Sequence, residues 1–178
     1  MSTRVGVISD THGRLDADIA GIFEGVDHII HAGDIGDEAI LYELRAIAPL
    51  TAVAGNIDGF VCGDAGVAAR AEIGGLSFLV THIIDRPRRL TAEVAAVVAD
   101  ERPDVVVFGH SHLPHDEIVG GTLFFNPASA GPRRFDYPRS VGIIEIASRR
   151  ARGRHVPLDA PSGAALDRYM NALSRREP

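Results

Sequence analysis

Seven side chains in this sequence, Asp10, His12, Asp34, Asn56, His82, His110 and His112, have types and spacing that would let them serve together as metal ligands. They comprise two carboxylates, one amide oxygen and four imidazoles, with no thiolate. Such a set suits borderline divalent ions (Mn²⁺, Fe²⁺, Co²⁺, Ni²⁺ or Zn²⁺) better than Mg²⁺ or Ca²⁺, which favour shells of oxygen alone. Seven donors exceed what one tetrahedral ion takes. Two ions sharing a carboxylate, each completed by solvent, account for the number. Ions paired in this way, about 3.5–4 Å apart, lower the pKa of a shared water until hydroxide exists near neutral pH. Two such ions, two carboxylates and one hydroxide leave a small positive charge, about +1, which would attract an anionic phosphate ester.

The spacing of these residues follows a rule. Apolar runs of strand length occur at Arg4 to Ser9, His28 to His31, Leu50 to Ala54, Leu76 to Thr81 and Val105 to Phe108. Each run ends on candidate ligands: Asp10-Thr11-His12, Gly33-Asp34, Gly55-Asn56, His82, and Gly109-His110-Ser111-His112. In α/β sheets, ligands bind where strand carboxyl ends bring separate segments together. Singly, Asp10 could cap a helix, Gly33-Asp34 and Gly55-Asn56 could be plain turns, and His82 a core histidine. The ordered set is harder to assign to chance.

Between the strands, helical spacing predicts helices over Leu15 to Glu24, Asp37 to Ala48 and Thr91 to Asp100, the last with Thr91 as N-cap and Pro103 as stop. From Pro114 onward the pattern turns to short strands: Glu117 to Val119 and Thr122 to Phe125 around a Gly120-Gly121 hairpin, then Val141 to Ile146 and Arg152 to Val156. Leu166, Tyr169, Met170 and Leu173 mark a C-terminal amphipathic helix capped near Ser162.

Composition sets further bounds. A chain of 178 residues with 46% hydrophobic and 24% charged residues is ordinary for one globular domain. No signal-peptide core and no run of eighteen apolar residues occurs, so a cytoplasmic location and no membrane partner are expected. The single cysteine, Cys62, excludes an internal disulfide. A net charge of -6 disfavours nucleic-acid polymers and points to a small or nucleotide-derived substrate. All 18 basic residues are arginine, so lysine chemistry is excluded.

In order and rough spacing, Asp10-x-His12, Gly33-Asp34, Gly55-Asn56, His82 and Gly109-His110-x-His112 resemble the motif set of the calcineurin-like metallophosphoesterases. Gly55-Asn56-Ile57-Asp58 and Asn126-Pro127-Ala128-Ser129 look like the small YfcE-like phosphodiesterase branch, and the match spans residues 5 to about 130. This resemblance implies one α/β domain over residues 1–178, a four-layer α/β/β/α sandwich of two mixed sheets. It implies a phosphodiesterase with two divalent ions, Mn²⁺ first among them, and a metal-bridging hydroxide as nucleophile. Asp10, His12 and His112 would hold one ion and Asn56, His82 and His110 the other, with Asp34 as the bridge. Asp34, Asn56 and His110 would be the catalytic core.

Two departures from the family pattern matter. Large phosphatases of the superfamily place a His-Glu pair after the asparagine, the histidine being the general acid, whereas Ile57 and Asp58 stand here. The branch also continues its fourth motif as His-Gly, often followed by another histidine, where this chain reads His82-Ile83-Ile84-Asp85. Asp58 and His115 are the candidates for the missing proton donor, the competing readings being a support beside the ligands for Asp58 and a solvated turn residue for His115. Arg86, Arg88 and Arg89 after His82, and Arg133 with Arg134, are candidate phosphate contacts, the competing reading being a solvated face. His31 reads as a core residue or a support for the ligands. Two other classes compete with the diesterase: a phosphomonoesterase, including a phosphoprotein phosphatase, and a non-catalytic assembly scaffold like the retromer subunit of this fold. Homo-oligomerisation is left open.

Overall fold

A computed structural model describes residues 2–59, 65–133 and 138–159. The expected C-terminal helix, Cys62 and Arg134 lie outside the described residues. The chain runs β1 (Thr3–Ile8), α1 (Ile19–Ile22), β2 (His28–His31), α2 (Glu38–Ile47), β3 (Leu50–Ala52), β4 (Ala68–Ile73), β5 (Leu76–Thr81), β6 (Asp85–Arg86), β7 (Arg89–Leu90), α3 (Ala92–Glu101), β8 (Val105–Val107), β9 (Pro114–Val119), β10 (Thr122–Pro127), β11 (Ser140–Ala147) and β12 (Arg150–Pro157).

The strands form two mixed five-stranded sheets, ordered β12-β11-β1-β2-β3 and β4-β5-β8-β10-β9, and a two-stranded ribbon, β6-β7. In the first sheet β1, β2 and β3 run parallel, and β11 and β12 close one side antiparallel. In the second, β5, β8 and β10 run parallel, with β4 and β9 antiparallel at the edges. Parallel strands need crossover connections, and α2 and α3 supply two of them.

Three clusters of buried side chains define the layers. Val5, Val7, Ile30, Ile144 and Ile146 of the first sheet meet Phe78, Val80, Val105, Val107, Leu123 and Phe125 of the second, so the sheets pack face to face. Outside the first sheet, Ile19 and Phe23 near α1 and Ile40, Leu41 and Leu44 of α2 cover Ile8, Ile29, Val141 and Ile143. Outside the second, Val94 of α3 and Ile84 cover Leu79, Val106, Phe108 and Phe124. This is the expected α/β/β/α order. Asp37 caps α2 by accepting from Ala39 N at 2.9 Å, and Thr91 caps α3 by accepting from Val94 N at 3.4 Å.

Two expectations need correction. The helix expected over Leu15 to Glu24 shrinks to Ile19–Ile22, because Asp16 draws the preceding residues into a turn. Its carboxylate accepts from Asp18 N at 3.2 Å and pairs with Arg139 at 2.9 Å, a local alternative to helical hydrogen bonding. Strand β4 was not expected from the sequence: it reads AARAEI, alternating alanine with charge, and alanine is a weak strand former. Ala69 and Ala71 still turn toward the core between the sheets.

Candidate metal centre

The loop after β1 and the loop after β2 continue the parallel ladder beyond the strands. Asp10 N donates to Gly33 O at 2.9 Å, His12 N to Asp34 O at 2.9 Å, and Gly13 N to Ile35 O at 2.7 Å. Five of the seven candidate ligands sit in the left-handed region, with φ of 55° at Asp10, 49° at His12, 53° at Asp34, 66° at His110 and 57° at His112. Aspartate and histidine tolerate that region better than most residues, yet each still costs on the order of 1 kcal/mol or more. Such conformations persist only when surrounding contacts over-determine them. Here those contacts turn side chains from separate strands toward one another.

Asp10 is fully buried. Its Oδ2 accepts from Ser9 Oγ at 2.6 Å and from His110 N at 3.2 Å. Its Oδ1 has no hydrogen-bond partner among the described residues, although His112 Nε2 lies 3.2 Å away. His112 Nε2 is in turn 3.2 Å from His12 Nε2. A buried carboxylate oxygen beside two converging imidazole nitrogens is costly unless a cation joins them.

A second convergence lies beside it. His82 Nδ1 donates to Ala32 O at 2.7 Å, which leaves Nε2 of the neutral ring as a lone pair. That nitrogen is 3.2 Å from Asn56 Oδ1 and 3.4 Å from Asp34 Oδ1, and Asn56 Oδ1 is also 3.0 Å from His110 Nδ1. An imidazole fixed by a backbone carbonyl, with its other nitrogen beside an amide oxygen and a carboxylate, is an arrangement that could hold a metal. Asp34 lies between the two groups: Oδ1 faces His82 and accepts from Ile57 N at 3.1 Å, while Oδ2 is 3.8 Å from His12 Nε2.

Burial pushes the Asp34 carboxyl up, but the hydrogen bond and charge of His82, the Ile57 N–H and His12 outweigh it and hold the group at about 2. Burial lowers His82, yet Asp34, Asp10 and the Ala32 carbonyl raise it further, for a net rise. Both directions express one fact: the Asp34 carboxylate and the His82 ring attract each other, so positive charge is favoured beside this carboxylate. Divalent ions with oxygen and nitrogen ligands fit this demand, with Asp10, His12 and His112 in one group and Asp10, Asp34 and His82 in an overlapping one.

Close packing permits the convergence. A Cβ on Gly109 would overlap Ser9 Oγ, and one on Gly55 would overlap Asp34. The other sequence candidates occupy different places. Asp58 is buried, with Oδ1 accepting from Gly36 N at 2.8 Å and Oδ2 from Gly55 N at 2.6 Å, so it braces the Asp34 and Asn56 loops. His115 sits on β9 with Nε2 3.1 Å from Glu117. Arg88 pairs with Glu117 at 2.7 Å and Arg133 with Asp159 at 3.0 Å, while Arg86 is exposed on the β6-β7 ribbon.

One support, the Asn126 strap, escaped the sequence reading of roles, and a second, His31, stands where that reading put it, as a buried support. Asn126, fully buried, donates through Nδ2 to Gly109 O at 2.8 Å and to Ser111 Oγ at 3.2 Å, and accepts from Ala128 N at 2.9 Å. Ser129 Oγ, Ala130 N and Gly131 N then donate to Asp10 O, Ser9 O and Asp10 O, each at 3.0 Å. This strap joins the Asp10 loop to the His110 loop, and its one sequence signal was the Asn-Pro-Ala-Ser run. His31, also fully buried, accepts at Nδ1 from Gly33 N at 3.2 Å and lies 3.0 Å from Thr11 Oγ1, which itself donates to Ile35 O at 2.9 Å. With Nδ1 accepting, the ring is the neutral tautomer that donates from Nε2 to Thr11.

A two-sheet sandwich that gathers carboxylates and imidazoles at its strand ends defines a metallophosphoesterase-type protein. Residues 3–149 match the calcineurin-like phosphoesterase superfamily domain, and the chain belongs to that superfamily, whose members use divalent metals to hydrolyse phosphoric esters. A probable metallophosphoesterase of Methanothermobacter thermautotrophicus is 28% identical over 168 residues, 92% of this chain and 97% of that one. A phosphodiesterase of Methanocaldococcus jannaschii is 27% identical over 166 residues, 84% of this chain and 96% of that one. The vacuolar protein sorting 29 structure from Cryptosporidium parvum shares the fold, with a TM-score of 0.70 at 16% identity over 89% of this chain and 99% of that one.

Proposed function

We propose that this chain hydrolyses phosphodiesters with two divalent ions, one held by Asp10, His12 and His112, the other by Asn56, His82 and His110, and Asp34 shared between them. The observation that carries this reading is the position of Asp34, whose two oxygens face two separate donor groups, 3.4 Å from His82 Nε2 and 3.8 Å from His12 Nε2. Mn²⁺ is the first candidate, and Ni²⁺, Zn²⁺, Fe²⁺ or Co²⁺ would suit the same donors. When bound, such ions supply Lewis acidity and a solvent nucleophile at neutral pH. The complete donor set favours catalysis over a purely scaffolding role.

The protein's own part is positioning. Ser9 and the His110 N–H hold one face of Asp10, and the Ala32 carbonyl aims His82. Asn56 and His110 are the solvent-facing donors, so the phosphate would enter from their side. Proton delivery is where the site is sparse: Ile57 follows Asn56, both Asp58 oxygens accept backbone N–H groups, and His115 Nε2 lies against Glu117. Leaving groups must then depart with little help. The rate should fall steeply as leaving-group pKa rises across a series of aryl diesters, and a flat dependence would reveal a proton donor.

The deciding experiment takes metal-stripped protein and follows hydrolysis of an activated aryl phosphodiester and the matching monoester, with and without Mn²⁺, Ni²⁺ or Zn²⁺. Metal-restored diester cleavage is expected. Preference for the monoester would make the protein a phosphomonoesterase, and tight metal binding without turnover on either ester would make it a scaffold.

A further inference from the structure

The residues after Asn56 and His82 are both isoleucine. Ile57 is 49% exposed and Ile83 40% exposed, while the next residue, Ile84, takes the buried place under α3. Both adjoin the centre along the chain. Ile57 N donates to Asp34 Oδ1 at 3.1 Å, and Ile83 is bonded to His82, whose Nε2 lies 3.2 Å from Asn56 Oδ1. Val67, 81% exposed, is tied by its backbone to the same segments: Gly66 O accepts from Ala54 N at 2.8 Å, just before Gly55, and Val67 O accepts from Thr81 Oγ1 at 3.4 Å, just before His82.

Thus three of the five large exposed apolar side chains among the described residues, Ile57, Val67 and Ile83, stand on segments that carry the candidate ligands or are hydrogen-bonded next to them, whereas Tyr42 and Ile118 lie on α2 and β9. Scattered exposed isoleucines need no explanation, but apolar groups collected beside a functional site mark a surface that something apolar covers. These positions offer neither charge nor hydrogen-bonding side chains, so a second phosphate or a sugar would gain nothing from them.

We infer that this rim selects the substrate: the centre takes the phosphate, and Ile57, Ile83 and Val67 take an uncharged apolar ester group, aryl or alkyl, attached to it. The inference rests on the phosphodiesterase reading and deepens it. Continuity with the donor atoms argues for a group covalently tied to the phosphate, since Ile57 and Ile83 each adjoin a candidate ligand in the chain.

The test uses two non-hydrolysable monoanions that mimic a diester, diphenylphosphinate and dimethylphosphinate, whose phosphorus carries only P–C bonds. Their affinities for the Mn²⁺-loaded full chain are measured by calorimetry. Diphenylphosphinate should bind about tenfold more tightly, a fraction of what full burial of its rings would contribute. In the Ile57→Ser, Ile83→Ser double variant, with metal content measured in parallel, the preference should collapse to within about twofold, whereas Ile118→Ser on distant β9 should keep it. Equal affinities in the unaltered chain, which require no variant to fold, would overturn the rim while leaving the phosphodiesterase reading intact. So would a preference that survives in the double variant. Metal binding with neither phosphinate bound would overturn both readings together.

Discussion

At the scale of the residue, charge decides what the centre can hold. Replacing Asp34 with asparagine removes one of two carboxylates while preserving shape, so we expect loss of bound metal by elemental analysis and loss of diester turnover. Retained activity would contradict a shared carboxylate. His31 makes a different prediction. Burial lowers its pKa from 6.5 to about 4, because a fully buried ring that accepts from Gly33 N is stable only when neutral. The folded pKa lies below the unfolded one, so the contribution is complete above pH 6.5 and is lost as pH falls toward 4, when the unfolded chain takes up a proton that the native ring refuses. Between pH 7 and 5 this is worth about 2 kcal/mol. Urea unfolding at the two pH values should show that loss, and His31→Gln should shrink it.

At the scale of the element, the strands end where the chemistry begins, and the loops need ties that the strands do not supply. The strap from Asn126 to Gly131 is the strongest of these, since it holds the backbone of both Asp10 and Gly109. Asn126→Ala would free Gly109 O and Ser111 Oγ and loosen His110 and His112 without removing a ligand. Supports of this kind typically contribute 10–100-fold to metal affinity. Calorimetric titration with Mn²⁺ should therefore show weaker binding within about that range, with the secondary structure by circular dichroism unchanged. A variant that binds metal normally would assign the strap to folding alone.

At the scale of the molecule, the two sheets must interlock. Phe125 of β10 is fully buried between them, its ring stacked at 4.7 Å on His155 of β12. Gly142 and Gly153, on β11 and β12, are where the ring passes, and a Cβ on either would overlap it. The His155 ring also reaches Asn126 O at 2.7 Å, so packing of the sheets is joined to the strap beneath the site. Gly153→Ala should force Phe125 to shift and cost about 1–3 kcal/mol, read as a lower urea midpoint at unchanged slope. A neutral effect would show that the interface repacks freely.

Much of this protein was legible in short stretches of sequence, because periodicity and turn chemistry act over a few residues. β2 and β5 fall where the apolar runs place them, the Gly120-Gly121 turn joins β9 to β10, α2 lies within the Asp37 to Ala48 stretch, and Thr91 caps α3. The types of the candidate donors were equally plain, since oxygen and imidazole at successive strand ends can serve little else together. Tertiary structure alone decided which donor atoms face one another, how the strap from Asn126 to Gly131 ties the Asp10 and His110 loops, where the alanine-rich β4 adds an edge, and that Asp58 braces loops. These depend on contacts between residues far apart in sequence, where no period carries the information and only the packed sheets bring the partners together.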